Sequence, residues 1–368
     1  MIGLRAGRSD VLLGADLLHQ IGEHCAANNL ARRCAIISDA NVAAHFADRV
    51  QRSLNASGFE STLLVIPAGE QSKTLEQAGA ICDQMIAAGL DRQSFVIGLG
   101  GGVVGDISGF VAAIFHRGIR HVQIPTTLLA MVDSSIGGKT GVNTSAGKNL
   151  LGAVHPPALV IDDVDVLQSL PPRELRQGFA EIIKHAIIAD AEMFGQVAQL
   201  SKLRRDEKAS WKFAPLIQHN IEIKSAIVGN DERDETGARA LLNFGHTVGH
   251  AIERAGEYRQ LLHGEAVSLG IVAACNISVK RAGLPREQCD AAAAVLRRFD
   301  LPVQLPPDFP RDRILAALKF DKKFERGEIR FVLTPKIGSA YLSCDVTLDD
   351  VQSAIDELQV DRDLRARC

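Results

Sequence analysis

The chain has 368 residues, 46% hydrophobic and 23% charged, enough for two domains at about 150 residues each and ordinary for a globular protein. A formal net charge of −3 leaves no broad basic field for nucleic acid or an anionic membrane surface, although a local basic pocket for a small anion stays open. The seven cysteines form no CxxC pair and are odd in number, so they read as small core residues in a reducing compartment. Residues 1–14 carry Arg5, Arg8 and Asp10 and no continuous apolar core, which is unlike a signal peptide. The most apolar run, 95–115, is broken by Asp106 and a succession of glycines, unlike a membrane span. The expected location is the cytoplasm.

In chain order, residues 34–38, 62–67, 95–99, 121–124 and 159–161 read as buried strands, and 41–57 and 74–89 as helices ended by glycine. Such alternation predicts a mainly parallel sheet with helices on its faces, binding ligands beyond the carboxyl ends of its strands. After about residue 170 the texture becomes helical, over 173–188, 208–229, 240–256, 264–282 and 286–299. Strand patterns return at 329–333 and 340–342. The predicted fold is α/β, a Rossmann-like parallel-sheet domain over 1–165 followed by a mainly helical domain over 166–368.

Three segments of the first half suit anionic ligands. Gly69-Glu70-Gln71-Ser72-Lys73 follows a strand and precedes a helix, which fits either a phosphate or ribose contact or a plain helix cap. Gly98 to Asp106, with Gly102, Val103, Val104 and Gly105, follows a strand and opens a helix. Backbone N–H groups there can approach a phosphate, and a tight turn without a ligand is the plain alternative. Thr126 and Thr127, then Asp133 to Asn143 and Lys148-Asn149, concentrate small polar residues around Lys139 and Lys148. A Walker loop is excluded there, because Asp133 stands where its first glycine is required.

In the second half, His246 and His250 stand four residues apart in a helical pattern, with His263 following. That spacing places the first two on one face. Glycines at 245 and 249 suggest a close backbone approach. A metal site and two satisfied core histidines are both compatible with this pattern. Glu181, three residues before Lys184 and among Phe179, Ile182 and Ile183, could complete a set of one carboxylate and two imidazoles with His246 and His263. The other histidines have no matching partners and read as structural or exposed.

Taken together, these segments resemble the 3-dehydroquinate synthase family. The matching motifs are Gly69-Glu-Gln-Ser-Lys73, Gly100-Gly-Gly-Val-Val-Gly-Asp106, Arg117-Gly118, Gln123 to Ala130, Val132 to Asn143, Gly147-Lys-Asn149, Ala180-Glu-Ile-Ile-Lys184, Arg239 to His250, His263 to Val267 and Asp321-Lys-Lys323. They occur in family order over about residues 60–335.

The resemblance implies conversion of 3-deoxy-D-arabino-heptulosonate 7-phosphate to 3-dehydroquinate and phosphate, with NAD⁺ recycled within the reaction. It implies one divalent metal, Zn²⁺ or Co²⁺, at Glu181, His246 and His263. It implies substrate-site or catalytic positions at Arg117, Asp133, Lys139, Asn149, Lys184, Glu235, Arg239, Asn243, His250 and Lys322. Cofactor positions are implied at Gly69 to Lys73, Gly102 to Asp106, Thr126, Thr127, Asp133, Lys139, Lys148, Val166, Leu167, Gln168 and Ser169. A homodimer is implied as well. Chemically, His250 suits proton transfer to and from substrate hydroxyls.

Three departures stand out. His116 precedes Arg117-Gly118 where an aromatic or aliphatic residue is commoner, and Gln168-Ser169 replaces a commoner Lys-Thr. The segment from Lys224 to Arg239 is one residue longer than usual, which leaves the role of Lys224 open. The alternatives are another sugar-phosphate cyclase, of the 2-deoxy-scyllo-inosose or epi-valiolone type, and a metal-dependent polyol dehydrogenase.

Overall fold

In the computed structural model, which describes residues 1–200, 210–229, 237–319 and 330–359, the chain forms two compact units. The first holds the described parts of 1–175 and 206–233. The second holds those of 176–205 and 234–368.

The strands of the first unit are β1 (Ile2–Ala6), β2 (Ser9–Gly14), β3 (Arg33–Asp39), β4 (Glu60–Ile66), β5 (Phe95–Gly100), β6 (His121–Pro125), β7 (Lys139–Thr144), β8 (Gly147–Val154) and β9 (Leu159–Asp163). Seven of them make one sheet, ordered β1-β2-β9-β6-β5-β3-β4. Only β1 runs antiparallel to its neighbour; the other pairings are parallel. Every residue of β5 and β6 is buried, as expected of central strands covered on both faces. The helices α1 (Ile21–Ala27), α2 (Ala40–Ala56), α3 (Leu75–Ala87) and α4 (Gly102–Ile114) follow the strands. Asp39 caps α2 through the N–H groups of Asn41 and Val42, and Thr74 caps α3 through Gln77. Ile37, Ile66, Ile81, Val96, Ile107, Val111 and Val142 join one core.

Helices α5 (Pro172–Ala189) and α6 (Ala191–Gln199) come next, then α7 (Ala214–Gly229). The pattern grouped α7 with the later helices. It packs instead on β1, β2 and the 130–134 turn of the sheet unit. The polar segment 125–149 also has more structure than its composition suggests. A turn of π-helix at Ala130–Ser134 leads into the β7–β8 hairpin.

The second unit is built around α9 (His263–Arg281). Against it lie α8 (His246–Ala255), α10 (Arg286–Arg298), α12 (Leu348–Glu357) and the hairpin of β10 (Phe331–Lys336) and β11 (Ser339–Ser343), while α11 (Arg311–Lys319) packs on α8. The ring of Phe179 stacks on Phe299 at 4.2 Å. The single helix expected over 240–256 is divided. Residues Ala238–Asn243 form a 3₁₀ turn, and Gly245, at φ 78°, starts α8 in the left-handed region that glycine adopts without a Cβ clash. Among the described residues no helix is long and apolar enough to cross a membrane.

One buried acid works against stability. Asp162 in β9 is fully buried, and neither carboxylate oxygen meets a hydrogen-bond partner among the described residues. Burial holds its pKa well above the usual carboxylate range. A raised folded-state pKa favours the folded chain most below the unfolded value near 3.9 and weakens it as pH rises toward the folded value. An Asp162→Val variant, near-isosteric and suited to a strand, is expected to gain about 1–3 kcal/mol at pH 8. The gain should shrink toward pH 4 in denaturant titrations, and a pH-independent loss of stability would contradict the assignment.

Candidate active site

Because the sheet is parallel around β3, β4, β5, β6 and β9, the segments that follow these strands gather at one edge. The glycine-rich loop runs from β5 into α4, whose start has no side-chain cap; Gly101 there has extended backbone. Its first N–H groups are therefore available to an anion. A Cβ on Gly100 would meet Val104 at 2.6 Å, one on Gly101 would meet Thr127 at 3.0 Å, and one on Gly102 would meet Ser134 at 3.2 Å. Glycine at these places lets the loop pack closely against Val104, Thr127 and Ser134.

Beside it a polar network forms. Lys73 Nζ contacts Asp106 Oδ2 and donates to Asn149 Oδ1 at 2.6 Å. Asn143 Nδ2 donates to Glu70 Oε1 at 2.7 Å, and Asn149 N donates to Asn143 Oδ1 at 3.0 Å. Lys148 stands 3.9 Å from Glu70. Burial pushes the Asp106 carboxyl up, and the Lys73 ammonium opposes it. Thus Glu70, Lys73, Asp106, Lys148 and Asn149, scattered in sequence, meet in one place. Gln71 and Ser72 turn back to Ala68 O at 2.8 Å and Pro67 O at 2.6 Å. Gln168 and Ser169 turn back likewise, to Asp165 and to Val166 O, while Val166 and Leu167 are buried as core.

Asp133 lies on the π-helical turn, and α7 carries Lys224 to it. Lys224 Nζ donates to Asp133 O at 2.7 Å and Oδ1 at 2.6 Å. Sequence spacing leaves the role of Lys224 open, and the pairing cannot be read from it because the partners are 91 residues apart in the chain. With Asp133 partly exposed, Lys224→Met is expected to cost about 1–3 kcal/mol, less than removing one partner of a fully buried pair. Urea midpoints for the variant would read this, and an unchanged midpoint would refute it. Lys139 opens β7. Arg117 is exposed and closes a 3₁₀ turn, at φ 68° after His116 at φ 47°.

In the second unit, Glu181 sits fully buried on α5, His246 begins α8 and His263 begins α9. His246 Nε2 lies 3.5 Å and His263 Nε2 lies 3.6 Å from the same oxygen, Glu181 Oε1. These spacings exceed an ordinary N–H···O bond of about 2.7–3.2 Å. They are near the ~3.4 Å that separates two ligands each about 2.0–2.1 Å from a tetrahedral ion. His246 Nδ1 is 3.2 Å from Phe244 O, so its other nitrogen is held by an acceptor. This donor set, one carboxylate and two imidazoles, suits zinc or a related divalent ion.

Lys184 Nζ contacts Glu181 Oε2 and is itself buried. Burial alone would raise the Glu181 carboxyl, but Lys184 and the two histidines hold it well below the usual range. For His246, burial and then Lys184 push the imidazole well below its ordinary value. Burial would also lower His263; Glu253 and Glu181 outweigh it and hold that imidazole up at about 10.

The exposed ring of His250 stands 5.2 Å from His246 and 6.1 Å from His263, centroid to centroid. Arg239 is buried and Asn243 half-buried in the 3₁₀ turn before α8. Glu235 and Lys322 lie outside the described residues. One participant went unnoticed in the sequence. Glu253, buried, has Oε2 3.2 Å from His263 Nδ1, and its position three after His250 and seven after His246 was the available signal.

Two family models match the chain, described as 3-dehydroquinate synthase N-terminal over residues 63–177 and 3-dehydroquinate synthase C-terminal over residues 178–324. A 3-dehydroquinate synthase from Gloeobacter violaceus is 41% identical over 350 residues, 95% of this chain and 96% of the relative. The solved 2-epi-5-epi-valiolone synthase from Streptomyces hygroscopicus, with NAD⁺ and Zn²⁺ bound, is 32% identical at a TM-score of 0.84, covering 97% of this chain and 98% of that one. A 2-deoxy-scyllo-inosose synthase structure reaches the same TM-score at 24% identity over 97% of this chain and 99% of that one, a likeness of fold alone.

Proposed function

The chain belongs to the 3-dehydroquinate synthase family, and from that premise we infer how its residues divide the work. Its activity is the family's: 3-deoxy-D-arabino-heptulosonate 7-phosphate is converted to 3-dehydroquinate and phosphate, with NAD⁺ and a divalent metal as cofactors. NAD⁺ supplies reversible hydride transfer, and the metal supplies Lewis acidity toward a substrate oxygen.

We propose that Glu181, His246 and His263 hold the metal, and the shared approach of both Nε2 atoms to Glu181 Oε1 is the observation that carries this reading. Gly102 to Asp106 with α4's uncapped start take the cofactor's phosphates, and the Glu70–Lys73–Asp106–Asn149 network braces that edge. Gly69, Gln71, Ser72, Thr126, Thr127, Lys148 and residues 166–169 complete the cofactor side. Lys139, Lys184, Arg239 and Arg117 answer a doubly anionic substrate, since ammonium and guanidinium groups suit carboxylate and phosphate. Asp133, with Lys224 fixing its carboxylate, Asn149 and Asn243 orient substrate hydroxyls, as do Glu235 and Lys322 in the family reading. His250, exposed beside the triad, exchanges the hydroxyl proton. A homodimer in the cytoplasm belongs to this reading.

The test is phosphate release from the heptulosonate 7-phosphate by purified protein with NAD⁺, before and after chelation. Chelator-sensitive release without net NADH supports the reading. Release only from other sugar phosphates would move the chain to the neighbouring cyclases. Net NADH from a simple polyol would make it a dehydrogenase.

A further inference from the structure

His263 turns its two nitrogens toward two different carboxylates. Nε2 lies 3.6 Å from Glu181 Oε1, and Nδ1 lies 3.2 Å from Glu253 Oε2. Glu253 sits on α8, on the helical face that carries His246 and His250. It is only 3% exposed, and a carboxylate so buried is costly unless a donor meets it. The other imidazole of the triad is built alike, with Nδ1 at Phe244 O and Nε2 toward Glu181.

We propose that Glu253 is a positioning residue for the metal. It accepts the Nδ1–H of His263, which selects that tautomer, fixes the ring angle and leaves the Nε2 lone pair aimed at the ion. The proposal rests on Glu181, His246 and His263 being the metal ligands. A carboxylate in this place does more than the carbonyl that serves His246, because its negative charge makes the imidazole a stronger donor. The same atoms invite one competing use. His250, Glu253 and His263 each offer a ligand atom within 4.8 Å of the others, so a second ion could lie among them. The short Glu253–His263 contact has the length of a hydrogen bond, and His250 is exposed, which favours the positioning role.

Metal-free protein titrated with cobalt(II) and with zinc(II) alone, against a chromophoric chelator, tests this without substrate or turnover. Wild type should bind one ion per chain. Glu253→Ala should weaken binding by about 10–100-fold and alter the visible cobalt spectrum. Glu253→Gln, isosteric and keeping an acceptor oxygen without the charge, should fall between, and it serves if the alanine variant folds poorly. Thermal unfolding of the metal-free proteins separates a merely structural role, which would lower the melting temperature and leave the affinity of folded protein unchanged. Unchanged affinity in both variants overturns the proposal. Two ions in wild type and one in Glu253→Ala assigns the residue to a second site instead. A wild-type chain that binds no ion overturns the triad and this inference together, whereas unchanged variants overturn this inference alone.

Discussion

His246→Ala is expected to abolish stoichiometric metal binding and to lower phosphate release at least a thousandfold. The triad offers one oxygen and two nitrogens, and removing one imidazole leaves a site of two ligands. A metal acting as a Lewis acid contributes several kcal/mol to the transition state, and each ~1.36 kcal/mol is tenfold in rate. The same change leaves Lys184 against Glu181 with one neighbouring imidazole fewer, so the buried carboxylate keeps a cationic partner and the fold should survive. Metal content by atomic emission and phosphate release with excess zinc are the measurements. A variant that retains one tightly held ion and full turnover would remove His246 from the metal site.

Gly270→Ala should be nearly as damaging, for a reason that involves no ligand directly. A Cβ at Gly270 would lie 1.9 Å from Gly245 O and 2.8 Å from Gly249 N. Both obstacles are backbone and cannot rotate away, so α9 must move off α8. Gly245 is the residue before His246, and α9 begins at His263, so the displacement separates the two imidazoles. Overpacking of this kind costs about 1–3 kcal/mol, and metal affinity should fall with it. Gly195→Ala is the matched control. Gly195 lies inside α6, where a Cβ meets nothing within 4 Å, and the change should stabilise by about 0.5–1 kcal/mol. Differential scanning calorimetry and cobalt titration of both variants decide this, and equal behaviour would refute the close-packing argument.

Gly270 also explains what the sequence could only suggest. Glycines beside His246 and His250 pointed to a close approach by something. The approaching body is the backbone of α9, with Gly270 against Gly245 and with Ala266 and Val267 against Gly249. Periodicity reports which residues share a face of one helix. It carries no information on which other helix crosses that face.

The same boundary divides legible from illegible elsewhere. The buried strands at 34–38, 95–99, 121–124 and 159–161 were readable because a covered parallel strand must be apolar on both faces. The glycine loop after β5 and the histidine pair were readable because their chemistry is written within a few adjacent residues. β1 and β2 were not foreseen: β1 exposes much of its length, and β2, only six residues long, buries every second residue and shows no continuous apolar run. The β7–β8 hairpin was hidden by its polar composition.

By itself, then, the sequence determined the alternating α/β pattern, the helical second half, the local motifs and the family they resemble. Tertiary structure decided what depends on distant segments meeting. It brought Lys73 to Asp106 and Asn149, Lys224 to Asp133 and Glu253 to His263. It also grouped α7 with the sheet. Local patterns record a residue's own backbone and burial, whereas a pairing depends on the strand order and helix crossings that carry two remote side chains to within a hydrogen bond of each other.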